Sequence, residues 1–373
     1  MDVETLRAEF PITRHYNFLD HAAIAPLSRR AADAMRRYIE QAEQHAYVLG
    51  GLYQEAKRIR SQAAKLINAH PDEVTFVKNT SEGISFVARG LRFSHGDNIV
   101  TAGCEFPANV FPWMTLQSAG VRIKMVPEDN GRVSAERLIE AIDARTRVVA
   151  ISAVQFASGY RVDLAALGEA CQRKGVLLSV DAIQALGCVP IDVRAMNIDF
   201  LSADGHKWLL GPEGAGVFYV RRELLGHLQP TTVGWLCMKN PDQYCKYEFE
   251  LRDDARRFDS GSYNLAGVFG LGGSLDMLLD LGVDQVWARV RELTNRLVAG
   301  LREKGYRVVS PREPGEESGI VSFVSDRHDH QRILEHLKTE HRTIIALREG
   351  RLRVSPHFYN RDEEIEQLLR HLP

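Results

Sequence analysis

Short runs of β-branched and aromatic residues alternate with longer amphipathic stretches from about residue 17 to residue 220. Such alternation is typical of parallel β-α-β units, in which each crossover helix covers a face of the sheet. The predicted strands are Asn17–Asp20, Val74–Val77, Asn98–Thr101, Arg122–Val126, Val148–Ala153, Val176–Val180, Phe200–Ser202 and Gly216–Val220. Predicted helices include Ser28–Ile67, with a break near Gly50, and Asp163–Lys174. The pattern predicts a doubly wound, mainly parallel α/β domain.

The pattern changes after Gly261. Two long helices are predicted first, over Leu265–Leu281 and Asp284–Lys304, and a final helix ends the chain. The strands predicted between them are Arg307–Val309, Gly319–Val324, Thr343–Leu347 and Arg351–Ser355. We therefore expect a large α/β domain over residues 19–264 and a smaller α+β domain over residues 265–373, with residues 1–18 packing on the smaller domain.

Composition narrows the class of partner. The 47 Lys and Arg residues nearly balance the 49 Asp and Glu residues, so no overall field attracts nucleic acid or an anionic membrane. The N-terminal segment has no signal-peptide pattern, and the apolar run Val148–Val154 is far shorter than the roughly 20 residues that span a bilayer. Five cysteines without CxxC spacing suit a reducing compartment. We expect a cytoplasmic protein that acts on small molecules, with no nucleic-acid or membrane partner.

Side chains that could bind a ligand or take part in catalysis follow the ends of several predicted strands. Ligands of open parallel sheets bind beyond the carboxyl ends of the strands, so these side chains are candidates for one site. They are Thr80, Ser81, Phe106, Gln155, Asp181, Gln184, Asp204, His206 and Lys207. Each has an ordinary structural interpretation on its own, such as a helix cap for Asp181 or a core position for Phe106. Their arrival at one sheet edge, in chain order, favours a shared function.

An amine, a carboxylate, an aromatic ring and a phosphate cradle at one edge are what pyridoxal 5'-phosphate (PLP) requires. Lys207 is expected to form a Schiff base with the cofactor aldehyde, and Asp181 to keep the pyridine nitrogen protonated. Phe106 would stack on the ring, Gln184 would donate to the 3-oxygen of the ring, and Gln155 offers an amide to a ligand oxygen. The phosphate is expected to bind Thr80, Ser81 and His206.

Seven segments carry a resemblance that extends over nearly the whole chain. They are FLDHAAIAPLS (18–28), NTSEG (79–83), EFPANVFPW (105–113), SVDAIQALG (179–187), ADGHKWLLGPEG (203–214), RFDSGSYN (257–264) and RLRVSPHFYN (351–360). At these residues the sequence resembles the class V aminotransferase family of fold-type I PLP enzymes. That family includes cysteine desulfurases, isopenicillin N epimerase-like proteins, C–S lyases and kynureninase.

The resemblance implies further roles. A fold-type I enzyme of this family would be a homodimer, with Gly261 and Ser262 reaching the cofactor phosphate of the neighbouring subunit. Arg353 would bind the α-carboxylate of the substrate, for which a guanidinium fork is well suited. His21 and Ala22 would line the substrate side of the site.

The sequence also departs from the family pattern. Desulfurases of this family carry a nucleophilic cysteine shortly before the carboxylate-binding arginine, and the corresponding segment IIALREGRLRV (344–354) has no thiol. They also carry a histidine on the cofactor ring where this chain has Phe106. Asp204 replaces a common serine beside the phosphate. Desulfuration through a protein persulfide is therefore disfavoured.

The expected activity is an aminotransferase reaction on a small α-amino acid, with Lys207 carrying the proton between the substrate and the cofactor. A β-eliminating C–S lyase and an epimerase remain alternatives, because each begins with loss of the Cα proton. A non-enzymatic alternative is a metal-binding or partner-binding module on the histidine-rich segment with His328, His330, His336 and His341. Their spacing matches no common zinc site, so no metal site is predicted.

Overall fold

The computed structural model describes residues 2–373. The described residues form thirteen strands: β1 Asn17–Phe18, β2 Val74–Val77, β3 Asn98–Ala102, β4 Arg122–Val126, β5 Thr146–Ser152, β6 Leu177–Asp181, β7 Phe200–Asp204, β8 Gly216–Val220, β9 Arg307–Val308, β10 Val321–Val324, β11 Thr343–Ile344, β12 Ala346–Arg348 and β13 Arg351–Val354. The α-helices are α1 Val3–Arg7, α2 Arg29–His45, α3 Leu52–Leu66, α4 Thr80–Gly90, α5 Phe111–Met114, α6 Ala135–Glu140, α7 Leu164–Lys174, α8 Leu265–Leu281, α9 Val283–Glu303, α10 His330–His341 and α11 Asp362–His371.

The central sheet has seven strands in the order β2-β8-β7-β6-β5-β3-β4. The strands from β3 to β7 pair in parallel, whereas β8 is antiparallel to both of its neighbours. Two consecutive strands that pair in parallel need a crossover of a dozen or more residues, usually with a helix. Residues 205–215, which connect β7 to β8, contain no helix. Since β8 reverses, β2 runs parallel to β7, and both end at the same edge.

Alternate residues of the central strands enter two separate cores, so both faces of the sheet are covered. In β5, Val148 and Ala150 pack in the core that contains α4 residues, and Val149 and Ile151 pack in the core that contains α7 and α8 residues. Burial on both faces explains why these strands read as continuous apolar runs in the sequence. The predicted doubly wound, mainly parallel sheet is confirmed.

The long helix predicted over Ser28–Ile67 is two helices, α2 and α3, which are separated by residues 46–51. The break falls at the predicted glycines, since Gly50 and Gly51 have φ of 67° and 84°, a conformation that favours glycine. Both helices pack against α8. Among residues 2–373, no single helix is long and apolar enough to cross a membrane; α8 and α9 meet that test only as a pair, and they are bent by 82° at the break between them.

A second sheet is antiparallel, with four strands in the order β12-β13-β10-β9. The single strand predicted over Thr343–Leu347 is two short strands in different sheets, because β11 pairs with β1 and β12 pairs with β13. Through β1 the beginning of the chain lies beside its end, and Asp20 continues the contact as a bridge to Ser355. The division of the chain between residues 264 and 265 stays a prediction.

Candidate active site

A cavity of about 310 Å³ opens where the carboxyl edge of the seven-stranded sheet faces the β12–β13 hairpin. We call its two sides the sheet wall and the hairpin wall. The sheet wall comprises Asn79, Thr80, Ser81, Phe106, Ala108, Phe156, Asp181, Ile183, Gln184, Asp204, His206 and Lys207. The hairpin wall comprises Arg348 and Arg353, with Ala22, Ala23 and Ile24 beside them.

Lys207 and Asp181 are the central ionisable pair of the sheet wall. Lys207 follows β7 and is 8% exposed, and Asp181 ends β6 and is 2% exposed. Burial lowers the pKa of Lys207 to about 8, and the charge of Asp181 opposes that shift. Burial also raises the pKa of Asp181 to about 7, although its carboxylate accepts a 3.0 Å hydrogen bond from the backbone N–H of Ile183. Both groups can therefore exchange protons near neutral pH.

The first turn of α4 forms one end of the sheet wall. Asn79 caps the helix by accepting a 2.9 Å hydrogen bond from the backbone N–H of Glu82, and Thr80 and Ser81 begin the helix at the cavity. The first N–H groups of an α-helix have no acceptor within the helix, and this end is positive. Gly83 lets α4 lie close to β7, because a Cβ there would collide with the side chain of Ser202. This end of the cavity suits an anion.

Asp204, which departs from the family pattern, has a structural explanation. One carboxylate oxygen accepts a 2.7 Å hydrogen bond from the backbone N–H of Gly205, and the other lies 2.8 Å from Nδ1 of His206, an ion-pair distance. The backbone N–H of Asp204 donates to Oγ1 of Thr80 over 3.1 Å. The carboxylate therefore turns toward His206 and its own backbone.

A network of buried polar groups behind the sheet wall supports the segment that carries Phe106. The ring centre of Phe106 lies 5.5 Å from Nζ of Lys207 and 5.3 Å from the ring centre of Phe156. The preceding residue, Glu105, accepts 2.8 Å hydrogen bonds from the backbone N–H of Ser152 and from Nε2 of Gln155, and burial raises the pKa of this carboxyl. Gln155 thus lies behind the cavity lining and supports the segment that carries Phe106.

Gln184 and Ala22 lie in the cavity lining, whereas His21 lies behind it. Gln184 donates from Nε2 to the carbonyl of Ala22 over 3.0 Å and accepts from the indole N–H of Trp208 over 3.0 Å. His21 is fully buried, with Nδ1 2.8 Å from the carbonyl of Ser355 and Nε2 2.6 Å from the hydroxyl of Tyr359. Burial holds the pKa of His21 well below its usual range, so a neutral ring donates to the carbonyl and accepts from the tyrosine.

Arg353 lies in β13 and is 1% exposed. It donates from Nη1 to the carbonyl of Phe156 over 3.0 Å and from Nη2 to Asp20 over 3.3 Å. Its Nε is buried and has no hydrogen-bond partner among the described residues. An unsatisfied buried donor is costly, so this guanidinium is ready for a further anionic acceptor.

Arg348 also lines the cavity, and sequence reasoning did not select it. The sequence signal for this residue is the short Glu349-Gly350 connection between two strands. This connection sets the pairing of Arg348 with Arg351, and the pairing decides the face of the sheet on which Arg348 lies.

Gly261 and Ser262 lie outside this cavity. They border a separate cavity of about 140 Å³ beside Lys78 and Glu82. Within one protomer they do not join the other predicted site residues.

Neither thiols nor the histidine-rich segment contribute to the cavity. Within residues 2–373, no cysteine lines it, and burial raises the pKa of both Cys104 and Cys171 to about 12. Of the four histidines considered for a metal module, His336 and His341 approach each other, and with Glu340 they place ligand atoms within 4.8 Å of one another. That cluster lies on α10, apart from the cavity lining.

Comparison with known proteins identifies the family. The Aminotransferase class-V profile matches residues 17–370, nearly the whole chain. The chain belongs to the class V aminotransferase family. Class V aminotransferases are PLP-dependent enzymes, so the chain is a PLP-dependent transferase or lyase.

Relatives in sequence and in structure match this chain over nearly its full length. A probable cysteine desulfurase of Methanothermobacter thermautotrophicus is 33% identical, over 99% of this chain and 96% of the relative. The apo structure of a cysteine desulfurase from Thermococcus onnurineus is 25% identical with a TM-score of 0.90, over 98% of this chain and 96% of that chain. A cystine C–S lyase solved with cysteine persulfide is 23% identical with a TM-score of 0.89, over 97% of this chain and 98% of that chain, which shows the shared fold.

The side chains of the cavity fit the family cofactor. The carboxylate of Asp181 faces the cavity and carries one hydrogen bond from the chain, which leaves its other oxygen for a pyridinium N–H. The first turn of α4 offers free N–H groups to a phosphate, and Phe106 offers a ring beside Lys207. The fold, the family and the cofactor expected from sequence are therefore confirmed, while the role of each residue stays a prediction.

Proposed function

We propose that this chain is an aminotransferase that acts on a small α-amino acid and binds PLP covalently through Lys207. The observation that carries the proposal is the buried amine of Lys207, which shares a cavity with Asp181 and lies 5.5 Å from the centre of the Phe106 ring. A lysine whose pKa is lowered to about 8 by burial has a substantial neutral fraction, and a neutral amine is the form that attacks an aldehyde.

The sheet wall would hold the cofactor. Asp181 would accept a hydrogen bond from the protonated ring nitrogen, and Phe106 would contact the ring. The phosphate would bind to the first turn of α4 and to His206. Gln184 would use its second amide hydrogen for the 3-oxygen of the ring, since Ala22 takes only one. Bound PLP supplies an electron-withdrawing ring that stabilises the negative charge left at the substrate Cα.

The hairpin wall would orient the substrate. The unsatisfied Nε of Arg353 and the second hydrogen of the adjacent Nη2, whose first hydrogen bonds to Asp20, would form a guanidinium edge that holds an α-carboxylate in two hydrogen bonds. Asp20 and the carbonyl of Phe156 fix the other positions of that guanidinium, so the carboxylate would meet a rigid partner. Such orientation would direct the Cα hydrogen toward Lys207.

Lys207 would move the proton. With PLP and substrate bound, the amine of Lys207 would remove the proton from the substrate Cα as a general base, and its ammonium form would serve as the general acid that gives the proton back. The low pKa that burial gives Lys207 suits both tasks near neutral pH.

A C–S lyase is the second candidate, because one solved structure with the same fold is a cystine C–S lyase. Relatives named cysteine desulfurase raise a third reaction, but among residues 2–373 no thiol reaches the cavity that could accept sulfur from a substrate. β-Elimination needs only the Lys207 base and no protein thiol. Lyase chemistry therefore remains compatible with this cavity, and sulfur transfer to the protein is disfavoured.

One experiment separates these activities. The purified yellow protein is mixed with single amino acids, without a keto acid, while visible absorbance and released keto acid are followed. An aminotransferase converts the cofactor to its amine form, loses its visible band and releases one equivalent of keto acid per site. A lyase keeps its visible band and releases keto acid continuously. Failure of every common amino acid to change the spectrum or release product contradicts both.

The proposal includes a cytoplasmic homodimer in which Gly261 and Ser262 contact the cofactor phosphate of the partner. Their separation from the cavity within one protomer supports an assignment to a second subunit. Sedimentation of the holoenzyme checks the dimer. A mixed dimer that joins a Lys207→Ala subunit to a Ser262→Ala subunit keeps one intact site if the assignment is right.

A further inference from the structure

The β12–β13 hairpin places three arginines on one face. Its two-residue connection, Glu349-Gly350, has φ of 46° and 70°, as in the tight turns that fix hairpin register. Arg348 pairs with Arg351, and Arg353 lies two positions further along β13. Residues that face each other across antiparallel strands point to the same side, as do residues two apart on one strand. Arg348 and Arg353 are therefore diagonal neighbours, about 7–8 Å apart.

The three arginines differ in how their charges are balanced. Arg351 is paired with Glu128 at 2.7 Å, and Arg353 is paired with Asp20 at 3.3 Å. Arg348 has no carboxylate within 4.0 Å among the described residues, and its Nη1 donates to the carbonyl of the preceding residue over 2.9 Å. Arg348, which has no acidic partner at this distance, thus lines the cavity.

The charge of Arg348, which interacts with Asp20 only beyond ion-pair distance, acts on the rest of the cavity. Burial lowers the pKa of Arg353, the charge of Asp20 opposes that shift, and the charge of Arg348 adds to it. Arg348 also contributes to the lowered pKa of Lys207, after burial and the charge of Arg353, while the charge of Asp181 opposes the shift. A cation that disfavours its neighbouring cations is stabilised when an anion enters between them.

We propose that the substrate is an α-amino acid whose side chain ends in an anionic group, a carboxylate or a sulfinate, and that Arg348 binds this group while Arg353 binds the α-carboxylate. The inference rests on the proposed function, because it needs an amino acid held at the hairpin wall. Two guanidinium groups on one sheet face, about 7–8 Å apart at the backbone, can take two anions of one short substrate in separate forks. Aspartate, glutamate and cysteine sulfinate have this arrangement of charges.

The test compares acidic amino acids with their uncharged counterparts on the holoenzyme. Aspartate is paired with asparagine, glutamate with glutamine, and cysteine sulfinate with cysteine, and kcat/KM is measured for each. We expect each acid to exceed its counterpart by about 10- to 100-fold, the range for a hydrogen-bonded charge pair in a partly buried site. Comparison of the carboxylates with the sulfinate shows which anionic group is preferred.

Variants of Arg348 assign the effect to this residue. Arg348→Gln should reduce the preference for acids to within a few-fold, and Arg348→Lys should retain part of it because an ammonium keeps the charge but loses the fork. The matched control is the double variant Glu128→Gln/Arg351→Gln, which removes an arginine from the same face together with its own partner. This control should keep the full preference.

A binding measurement gives a readout that does not require turnover. Calorimetry of the holoenzyme with succinate and with butyrate should give tighter binding of the dicarboxylate by about 10-fold or more, and Arg348→Gln should remove the difference. If Arg348 instead joins Arg353 on the α-carboxylate, Arg348→Gln weakens both ligands equally, and that result overturns the inference.

The outcomes separate the substrate inference from the proposed function. Equal rates with the acids and their uncharged counterparts overturn the inference and leave an amino-acid enzyme in place. A purified protein that binds no PLP through Lys207, or that changes no amino acid, overturns both. A preference for acids that survives Arg348→Gln also overturns the assignment to Arg348.

Discussion

The sheet wall and the hairpin wall hold their charges in different ways. On the sheet wall, Asp181 and Lys207 are an acid and a base whose burial brings their pKa values to about 7 and about 8. On the hairpin wall, the charged groups are the guanidinium groups of Arg348 and Arg353. One side of the cavity can therefore gain and lose protons, whereas the other side presents fixed charge.

This contrast divides the work of the site. Groups that titrate near neutral pH suit proton transfer and covalent binding, while fixed guanidinium groups suit the positioning of anions. Substitutions on the sheet wall should mainly lower kcat and cofactor attachment. Substitutions on the hairpin wall should mainly raise KM. A sheet-wall variant that mainly raised KM, or a hairpin-wall variant that mainly lowered kcat, would contradict this division.

The largest effect is expected from Lys207→Ala. Loss of the amine removes both the attachment point of PLP and the proton carrier, so the visible band should disappear on dialysis and kcat should fall by at least about 10²- to 10⁴-fold. Lys207→Arg is the matched control, since it keeps a cation but cannot form the bond. Circular dichroism and sedimentation should match the unmodified protein. A visible band that survives dialysis of the alanine variant would contradict the role of Lys207.

The next effect is expected from Arg353→Gln. Removing a charge-assisted hydrogen bond to a carboxylate costs about 1.5–3 kcal/mol, which corresponds to about a 10- to 100-fold rise in KM. Steady-state kinetics should show kcat within a few-fold of the unmodified enzyme. Asp20→Asn serves as the control, because it removes the partner of Arg353 and keeps the guanidinium. A fall in kcat with unchanged KM would place Arg353 in the chemical step and not in binding.

The sequence predicts the sheet wall better than the hairpin wall, for a physical reason. Phe106 and Lys207 follow the ends of β3 and β7, and Asp181 is the last residue of β6, so one rule about sheet edges brings them together. Arg348 enters the cavity through the register of one strand against another, and a shift of one residue would turn it to the opposite face. A linear pattern does not state that register.

Two further residues show the same limit. Gln155 and His21 lie at positions that sequence reasoning assigned to ligand contact, and both are hydrogen-bonded to protein groups behind the cavity lining. A strand end and a motif give the position of a residue along the chain. Which layer the side chain occupies depends on neighbours distant in sequence, such as Glu105 for Gln155 and Tyr359 for His21.

A smaller effect concerns the pH dependence of cofactor attachment. Because only the neutral amine attacks an aldehyde, and the pKa of Lys207 is about 8, the rate at which apoprotein becomes yellow with added PLP should rise nearly tenfold per pH unit below pH 8 and level off above it. An exposed lysine would still gain up to pH 10. Asp181→Asn should move the midpoint lower, since the charge of Asp181 raises the pKa of Lys207. Stopped-flow absorbance measures both.

The smallest effect concerns the stability of the apoprotein. Burial raises the pKa of Asp181 from 3.8 to about 7, so the folded chain retains a proton that the unfolded chain loses above pH 4. The contribution of Asp181 to stability therefore falls as pH rises from about 4 to 7 and is lowest above 7. Apoprotein with Asp181→Asn should melt several degrees higher than the unmodified apoprotein at pH 8. The difference should shrink toward pH 4.

Differential scanning calorimetry of both apoproteins at the two pH values tests whether the buried carboxylate of Asp181 destabilises the folded chain. A lower melting temperature for the asparagine variant at pH 8 would mean that the charge of Lys207 outweighs the cost of burying Asp181. Asp204→Asn is a useful control, because its carboxylate lies on the same wall and accepts a backbone hydrogen bond.

The ion pair between Asp20 and Arg353 joins residues 333 positions apart in the chain. On a ribosome, the strands that carry Asp181 and Lys207 are complete long before Arg353 has been synthesised. A nascent chain can thus possess its reactive lysine while the arginine that would hold a substrate does not yet exist. Under the proposed roles, a chain that ended before residue 353 would contain Lys207 and Asp181 and would lack the arginine that selects the substrate.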